Sequence, residues 1–252
     1  MMRSAAPPEI LPPPGNYFTR SQQPLHALML LLPMVLLYEA GALFILAREG
    51  ISNLAQSYLR AALELFGAAG SFLPGLAVVV VLLSMHIVRR DPWRLDWRLY
   101  LAMAFEAVAL GICLLLFALV ARGLPLAPIR SLPADLTISL GAGIYEELVF
   151  RLMLIALIHL LIVDVMKQSD RWGAWSAVLV SALLFSLYHF GGAEPPPFNL
   201  GNAVYYFLSG LYLAAIYILR GFGIVAATHA VFDIMINLIA HSGAAGGAAA
   251  PG

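Results

Sequence analysis

The sequence predicts an all-α membrane protein, a polytopic bundle of about seven transmembrane helices, or about eight if one amphipathic segment also spans. The composition predicts this class, because 62% of the 252 residues are hydrophobic and only 11% are charged. Soluble domains carry about 25% charged residues, so this chain has too few charges to cover a surface exposed to water. Its formal net charge is zero, which offers no attraction for a polyanion, so we expect no nucleic-acid partner.

Three regions are predicted along the chain. Clustered prolines in residues 1–24 indicate an extended N-terminal tail, because proline lacks a backbone donor and opposes helix formation. Residues 25–241 are predicted to form one transmembrane domain, with a motif-bearing core at about 137–241. Residues 242–252 are small and indicate a flexible C-terminal tail. The single cysteine, Cys113, lies in an apolar run, which leaves no disulfide framework.

Seven apolar runs are candidates for the spans. In chain order they cover residues 25–47, 72–88, 99–120, 137–163, 172–190, 203–219 and 223–240. Residues 51–66 are amphipathic, and we interpret them as an interfacial or re-entrant helix rather than a span.

The loop at residues 89–98 gives the strongest orientation signal. Its four arginines and two tryptophans are typical of a cytoplasmic membrane interface. Of the 14 Lys and Arg residues, Arg151 lies within a span. With seven spans and this loop inside, the other 13 divide into nine inside and four outside. This distribution predicts a cytoplasmic N-terminus, and the compact, loop-poor layout is typical of a bacterial inner-membrane protein.

Ionisable residues embedded in the fourth apolar run are the feature that most needs an explanation. Glu146, Glu147 and Arg151 lie there, after the small residues Gly141 and Gly143, which permit close helix packing. An ionised carboxylate in hydrocarbon costs roughly 2.5–3.5 kcal/mol on insertion scales, so these groups need partners. Residues four apart share a helix face, which predicts an ion pair between Glu147 and Arg151. Glu146 faces elsewhere and remains for chemistry, although the cluster alone could simply lock helices together.

Two later spans carry polar pairs with the same spacing. Phe185 and His189 are four residues apart, as are His229 and Asp233. A lone histidine near a span end is more often a satisfied interfacial group than a catalyst. Here, however, three spans each carry a polar stripe, in a chain that has few polar residues. This pattern predicts that the side chains of the three stripes are one another's partners. The predicted spans place Glu146, His189 and His229 at different depths in the membrane. These residues meet only if the helices are tilted or longer than the predicted spans.

Together the three stripes form a set of spaced motifs: Glu146-Glu147-x-x-x-Arg151, Phe185-x-x-x-His189 and His229-x-x-x-Asp233. This set resembles the CPBP family, the CAAX-protease and bacteriocin-processing group of intramembrane endopeptidases, also called the Abi family. The resemblance covers roughly residues 100–240. It departs at Asp233, where the family often has asparagine, and an aspartate donates a hydrogen bond only when protonated. The resemblance implies a glutamate-dependent peptidase acting on a membrane-associated polypeptide.

The chemistry of the residues agrees with that implication. Peptide hydrolysis needs a base to deprotonate water and donors for the developing oxyanion. We expect Glu146 to be the base, with His189 sharing the water. His229 is expected to donate to the oxyanion, with Asp233 either orienting His229 or donating when protonated.

The remaining polar residues are expected to support the site or the bundle. Glu147 with Arg151 would set the local charge and orient the base, and Phe185 would pack beside the pocket. Glu39 and Glu106 are expected to make interhelical hydrogen bonds.

Other functions stay open at this stage. A zinc-dependent hydrolase would use Glu146, His189 and His229 as ligands with a water in the fourth position, although no His-Glu-x-x-His motif occurs. A non-catalytic immunity or scaffold protein would keep the same motifs. Embedded Glu and His residues also serve proton transfer in transporters, but the two halves show no inverted repeat.

The expected partners are membrane lipids and a membrane-associated protein or peptide, and no cofactor is expected unless zinc is used. Prenylated CAAX proteins, bacteriocin precursors and sorting-signal tails are all candidate substrates.

Overall fold

The structure is a computed structural model that describes residues 15–65, 67, 70, 72–122, 130–191 and 195–248. The described residues form helices and no strand, which confirms the predicted fold class. In chain order the helices are α1 (Tyr17–Ser21), α2 (Pro24–Glu49), α3 (Leu54–Glu64), α4 (Leu73–Arg89), α5 (Trp97–Arg122), α6 (Leu132–Val165), α7 (Asp170–Tyr188), α8 (Leu200–Arg220) and α9 (Phe222–Ala248).

The protein is an integral membrane protein. Five helices, α2, α5, α6, α8 and α9, are long and apolar enough to cross a membrane, and α4 is a shorter apolar helix. The outer faces of these helices expose large apolar side chains, such as Phe105 and Leu116 on α5. Lipid rather than water suits such a surface. The arrangement of seven spans stays a prediction.

Helix α3 lies where the sequence predicts a segment that does not cross the membrane. Its 11 residues extend about 16 Å, about half the thickness of the hydrocarbon core. The Asn53 side chain caps the helix by accepting a hydrogen bond from the Gln56 backbone N–H at 3.0 Å. Ala55 and Leu59 are buried against the bundle, while Tyr58 and Arg60 are exposed.

The two predicted tails contain more helix than expected. Tyr17–Ser21 is helical, capped by Asn16, which accepts a hydrogen bond from the Thr19 backbone N–H. The prolines at positions 7, 8 and 12–14 lie outside the described residues. Helix α9 continues to Ala248, so residues 242–248 are helical where the sequence suggests a flexible tail. Alanine, which has the highest intrinsic helix propensity, is frequent there.

Half-buried glutamates outside the motifs tie helices together, as predicted. The Tyr145 hydroxyl on α6 donates to Glu39 on α2 at 2.7 Å. Arg220 at the end of α8 donates to Glu106 on α5 at 2.8 Å, and Glu106 also accepts from the Tyr17 hydroxyl. These contacts give both embedded acids a structural role.

Helix α6 is the central element of the site. It has 34 residues, and a helix of that length extends about 50 Å, which exceeds the hydrocarbon core of about 30 Å. A span this long lies tilted or projects beyond the core, so the depth of a residue cannot be counted from the sequence alone. Residues Ala142–Glu146 and Leu148–Met153 form π-helical turns, a local form that often accompanies functional sites.

A close contact brings α6 against α9. A Cβ atom built at Gly143 would lie 2.5 Å from the carbonyl oxygen of Ala226 and 2.6 Å from the Cβ of Ala230. Only glycine fits at this distance, so Gly143 sets the separation of the two helices. The expectation that a small residue permits close packing is confirmed here.

Candidate active site

The two carboxylate oxygens of Glu147 make one contact within α6 and one with α9. The Arg151 Nε atom lies 3.1 Å from Glu147 Oε2, and both side chains are fully buried. The predicted ion pair is therefore confirmed. The His229 Nδ1 atom on α9 lies 2.7 Å from Glu147 Oε1. Because an ionised carboxylate only accepts hydrogen bonds, His229 donates its Nδ1–H to Glu147.

Arg151 is enclosed by the site rather than by lipid. Its guanidinium carbon lies 4.2 Å from the centroid of the Phe185 ring, a cation–π arrangement. Its Nη2 atom donates to the carbonyl oxygen of Gly210 at 3.3 Å. These contacts, together with Glu147, hold a buried charge that would otherwise be costly.

His189 is positioned by the end of α7. Its Nδ1 atom lies 2.8 Å from the carbonyl oxygen of Phe185, and a carbonyl can only accept, so Nδ1 carries the hydrogen. In the neutral ring, Nε2 then holds a lone pair. The ring stacks on Tyr206, with centroids 4.1 Å apart and planes at 21°, which fixes the direction of Nε2.

Glu146 is buried and only partly satisfied. Its Oε1 atom accepts a hydrogen bond from the Tyr188 hydroxyl at 3.2 Å. Its Oε2 atom has no hydrogen-bond partner within the described part of the chain. An unpartnered buried oxygen is costly and is common at sites where a substrate or water provides the missing contact.

The contact between His229 and Asp233 is looser than the contact between His229 and Glu147. Asp233 Oδ2 lies 3.7 Å from His229 Nε2, too far for a hydrogen bond. Glu147, which approaches from another helix, is the group that hydrogen-bonds the ring, a contact that spacing within α9 cannot reveal. Both roles predicted for Asp233, orienting His229 or donating when protonated, stay predictions. Asp233 remains close enough to favour a proton on Nε2 electrostatically.

One cavity of about 220 Å³ brings most of the predicted residues together. Its walls include Glu146, Phe185, His189, His229 and Asp233. Glu147 and Arg151 are buried behind it. This space accommodates several water molecules or a short stretch of polypeptide.

A polar rim lies along the same cavity. Arg130, Asp135 and Asn237 are also among its walls. Asp135 Oδ2 is 2.9 Å from His241 Nε2, and Asn237 donates to Ser139 at 3.0 Å. The cavity therefore has a polar as well as an apolar boundary.

Two residues of the site carry no sequence signal that singles them out. Tyr188 contacts Glu146, but before folding it is one tyrosine among ten. Ser209 on α8 lines the cavity, and its buried hydroxyl has no hydrogen-bond partner among the residues described. The adjacency of Tyr188 to His189 is the one feature that could have drawn attention to it.

The zinc alternative does not fit the geometry of the described residues. Among them, no group of three or more His, Cys, Asp or Glu side chains is placed to hold a metal ion. The Phe185 ring packs against both imidazoles, with centroids 4.6 Å from His189 and 5.9 Å from His229. The set of Glu146, His189 and His229 is therefore not assembled as metal ligands.

The fold and the site define a class of protein: a helical membrane protein with carboxylate and imidazole groups around a cavity. Comparison with known families gives a more specific result. A family model described as type II CAAX prenyl endopeptidase Rce1-like matches residues 128–235. This segment contains all three motifs, so the predicted resemblance to the CAAX-protease family is confirmed over these residues. Comparisons with curated proteins and with solved structures found no match.

Proposed function

We propose that the protein is an intramembrane endopeptidase that hydrolyses a peptide bond of a membrane-associated polypeptide, with Glu146 as the general base. One observation carries the proposal. Glu146 lines a cavity together with His189 and His229, and its Oε2 atom has no hydrogen-bond partner among the described residues. The neighbouring Glu147 is already engaged by Arg151, so Glu146 is the acid available for chemistry.

The first step is attack by water. Glu146 accepts a proton from a water molecule, and the lone pair of His189 Nε2 accepts a second hydrogen bond that orients the same water. The water oxygen forms a bond to the carbonyl carbon of the substrate as its proton moves to the carboxylate. General base catalysis of this kind contributes roughly 10²- to 10⁴-fold to the rate.

His229 then stabilises the negative oxygen of the tetrahedral intermediate. Its Nδ1–H is held by Glu147, and the nearby Asp233 favours a protonated ring whose Nε2–H donates to the oxyanion. Such donors contribute roughly 10²- to 10³-fold. Glu146 finally returns its proton to the amide nitrogen, the C–N bond breaks, and a carboxylic acid and an amine leave.

The family match suggests the first substrate to test. Its description names a CAAX prenyl endopeptidase, so a prenylated peptide ending in a CAAX sequence is the leading candidate, ahead of bacteriocin precursors and sorting-signal tails. We place the protein in a bacterial inner membrane with its N-terminus in the cytoplasm. The arginine-rich loop at residues 89–98 supports this orientation.

The test is cleavage of a farnesylated CAAX peptide by the purified protein in liposomes, with and without a metal chelator. We expect cleavage that persists with chelator and that falls at least about 100-fold in Glu146→Gln. Glu64→Gln is the matched control, because Glu64 is half-exposed on α3, where it pairs with Arg60, and does not line the cavity.

Two outcomes would contradict this mechanism. Undiminished cleavage by Glu146→Gln would remove Glu146 from its role as base. Cleavage that chelator abolishes and added zinc restores would support the metal-dependent alternative. A non-catalytic scaffold predicts that no variant, including the wild type, cleaves any of the three substrate classes.

A further inference from the structure

Tyr188 contacts the proposed base without being part of the cavity wall. Its hydroxyl donates to Glu146 Oε1 at 3.2 Å, while the residue itself is not part of the cavity wall. The other carboxylate oxygen, Oε2, has no hydrogen-bond partner in the described part of the chain. The two oxygens of Glu146 are thus in different environments, and Tyr188 creates the difference.

The Tyr188 ring contacts three aromatic rings, two of them on other helices. Its centroid lies 5.2 Å from that of Phe150 on α6 and 5.6 Å from that of His189, which follows it in the chain. It also lies 6.4 Å from the ring of Tyr58 on α3. Edge-to-face contacts at these distances favour one ring direction. The phenol oxygen therefore has little freedom to leave Glu146.

Helix α3 packs against Tyr188 through its first two turns. The Tyr58 ring contacts the Tyr188 ring, and Ala55 and Leu59 of the same helix are buried against the bundle. Asn53 caps the start of this helix by accepting from the N–H of Gln56, which holds the first turn in place.

We propose that Tyr188 is a positioning residue of the peptidase and that α3, which packs against its ring, helps to hold the hydroxyl at the base. The inference rests on the proposed function. Tyr188 acts through Glu146: its hydrogen bond favours the ionised carboxylate and fixes Oε1, so that Oε2 is presented to the water. The amphipathic helix that does not cross the membrane thereby has a part in the site, although it carries none of the three motifs.

The experiment compares Tyr188→Phe with Tyr58→Phe, which make the same chemical change on two tyrosines in contact. Tyr58 is exposed and reaches Glu146 only through Tyr188. A hydrogen bond to a charged group contributes about 1.5–3 kcal/mol, so we expect kcat of Tyr188→Phe to fall roughly 10- to 100-fold with little change in KM. The acid limb of its pH–rate profile moves to higher pH, because a carboxylate without its donor is protonated more readily. Tyr58→Phe keeps the wild-type rate and profile.

A second measurement needs no substrate. A hydrophobic carbodiimide reacts with the protonated form of a buried carboxyl, and mass spectrometry locates the adduct, with Glu146→Gln confirming the modified position. At one pH, Tyr188→Phe should be labelled at Glu146 several-fold faster than wild type or Tyr58→Phe. Equal labelling and equal pH profiles in all three proteins would overturn the role of Tyr188, while normal cleavage in the same samples would leave the peptidase proposal intact.

Discussion

Glu147 is the residue on which the electrostatics of the site depend. Its carboxylate lies between the guanidinium of Arg151 and the imidazole of His229, with contacts of 3.1 Å and 2.7 Å. All three groups are buried. Removing one member of a buried ion pair destabilises a protein far more than replacing both members. Glu147 and Arg151 must therefore be tested together.

We expect Arg151→Met to destabilise the protein by about 3–5 kcal/mol, because it removes the guanidinium that balances the buried charge of Glu147. The double variant Arg151→Met with Glu147→Gln should recover part of this loss, since the glutamine oxygen is neutral and still accepts from His229. The measurement is thermal unfolding in detergent over the complete double-mutant cycle. Strictly additive effects would show that Glu147 and Arg151 do not interact.

The same residues show what periodicity can and cannot predict. The Glu147–Arg151 pair lies within one helix at i, i+4, a relation that spacing reveals directly. The Glu147–His229 hydrogen bond joins positions 82 residues apart, and no pattern within a helix contains that information. The sequence could therefore separate Glu147 from Glu146 but could not identify Glu147 as the partner of His229.

At the scale of the helices, the contact between α6 and α9 determines whether the site is assembled. Glu146 and Glu147 come from α6, and His229 and Asp233 from α9. Gly143 lies one turn before the two acids, in close contact with the α9 backbone.

Gly143→Ala is expected to force α6 and α9 apart, because its Cβ would lie 2.5 Å from a backbone oxygen that cannot rotate away. Overpacking of this kind costs about 1–3 kcal/mol, and lengthening the Glu147–His229 contact should reduce cleavage more than tenfold. The control is Gly243→Ala on α9, because a Cβ atom added at Gly243 meets nothing within 4 Å. Thermal unfolding and cleavage rates of both variants measure the difference, and equal behaviour would contradict the account.

Local helix geometry is the part of the fold that the sequence did not predict. The π-helical turns at Ala142–Glu146 and Leu148–Met153 carry motif residues, yet no residue pattern distinguishes them from α-helix. Helix existence follows from composition and hydrophobic runs, whereas the depth at which Glu146, His189 and His229 meet depends on helix length and tilt.

At the scale of the whole molecule, the membrane topology connects the site to its substrate. The arginine-rich loop between α4 and α5 and the polar turn between α6 and α7 are expected on the cytoplasmic side. The start of α3, which supports Tyr188, is expected on the opposite side. This arrangement requires α4 to cross the membrane, although its 17 residues extend only about 26 Å.

Single cysteines at the three positions test this arrangement. With Cys113 replaced by serine, we expect a membrane-impermeant maleimide to label Arg90→Cys and Gln168→Cys from the same side of oriented vesicles. Ser52→Cys should react only from the other side, because α4 lies between it and the arginine loop. Labelling of residues 52 and 90 from one side would show that α4 does not span, and it would place the α3 support of Tyr188 on the same side of the membrane as the arginine loop.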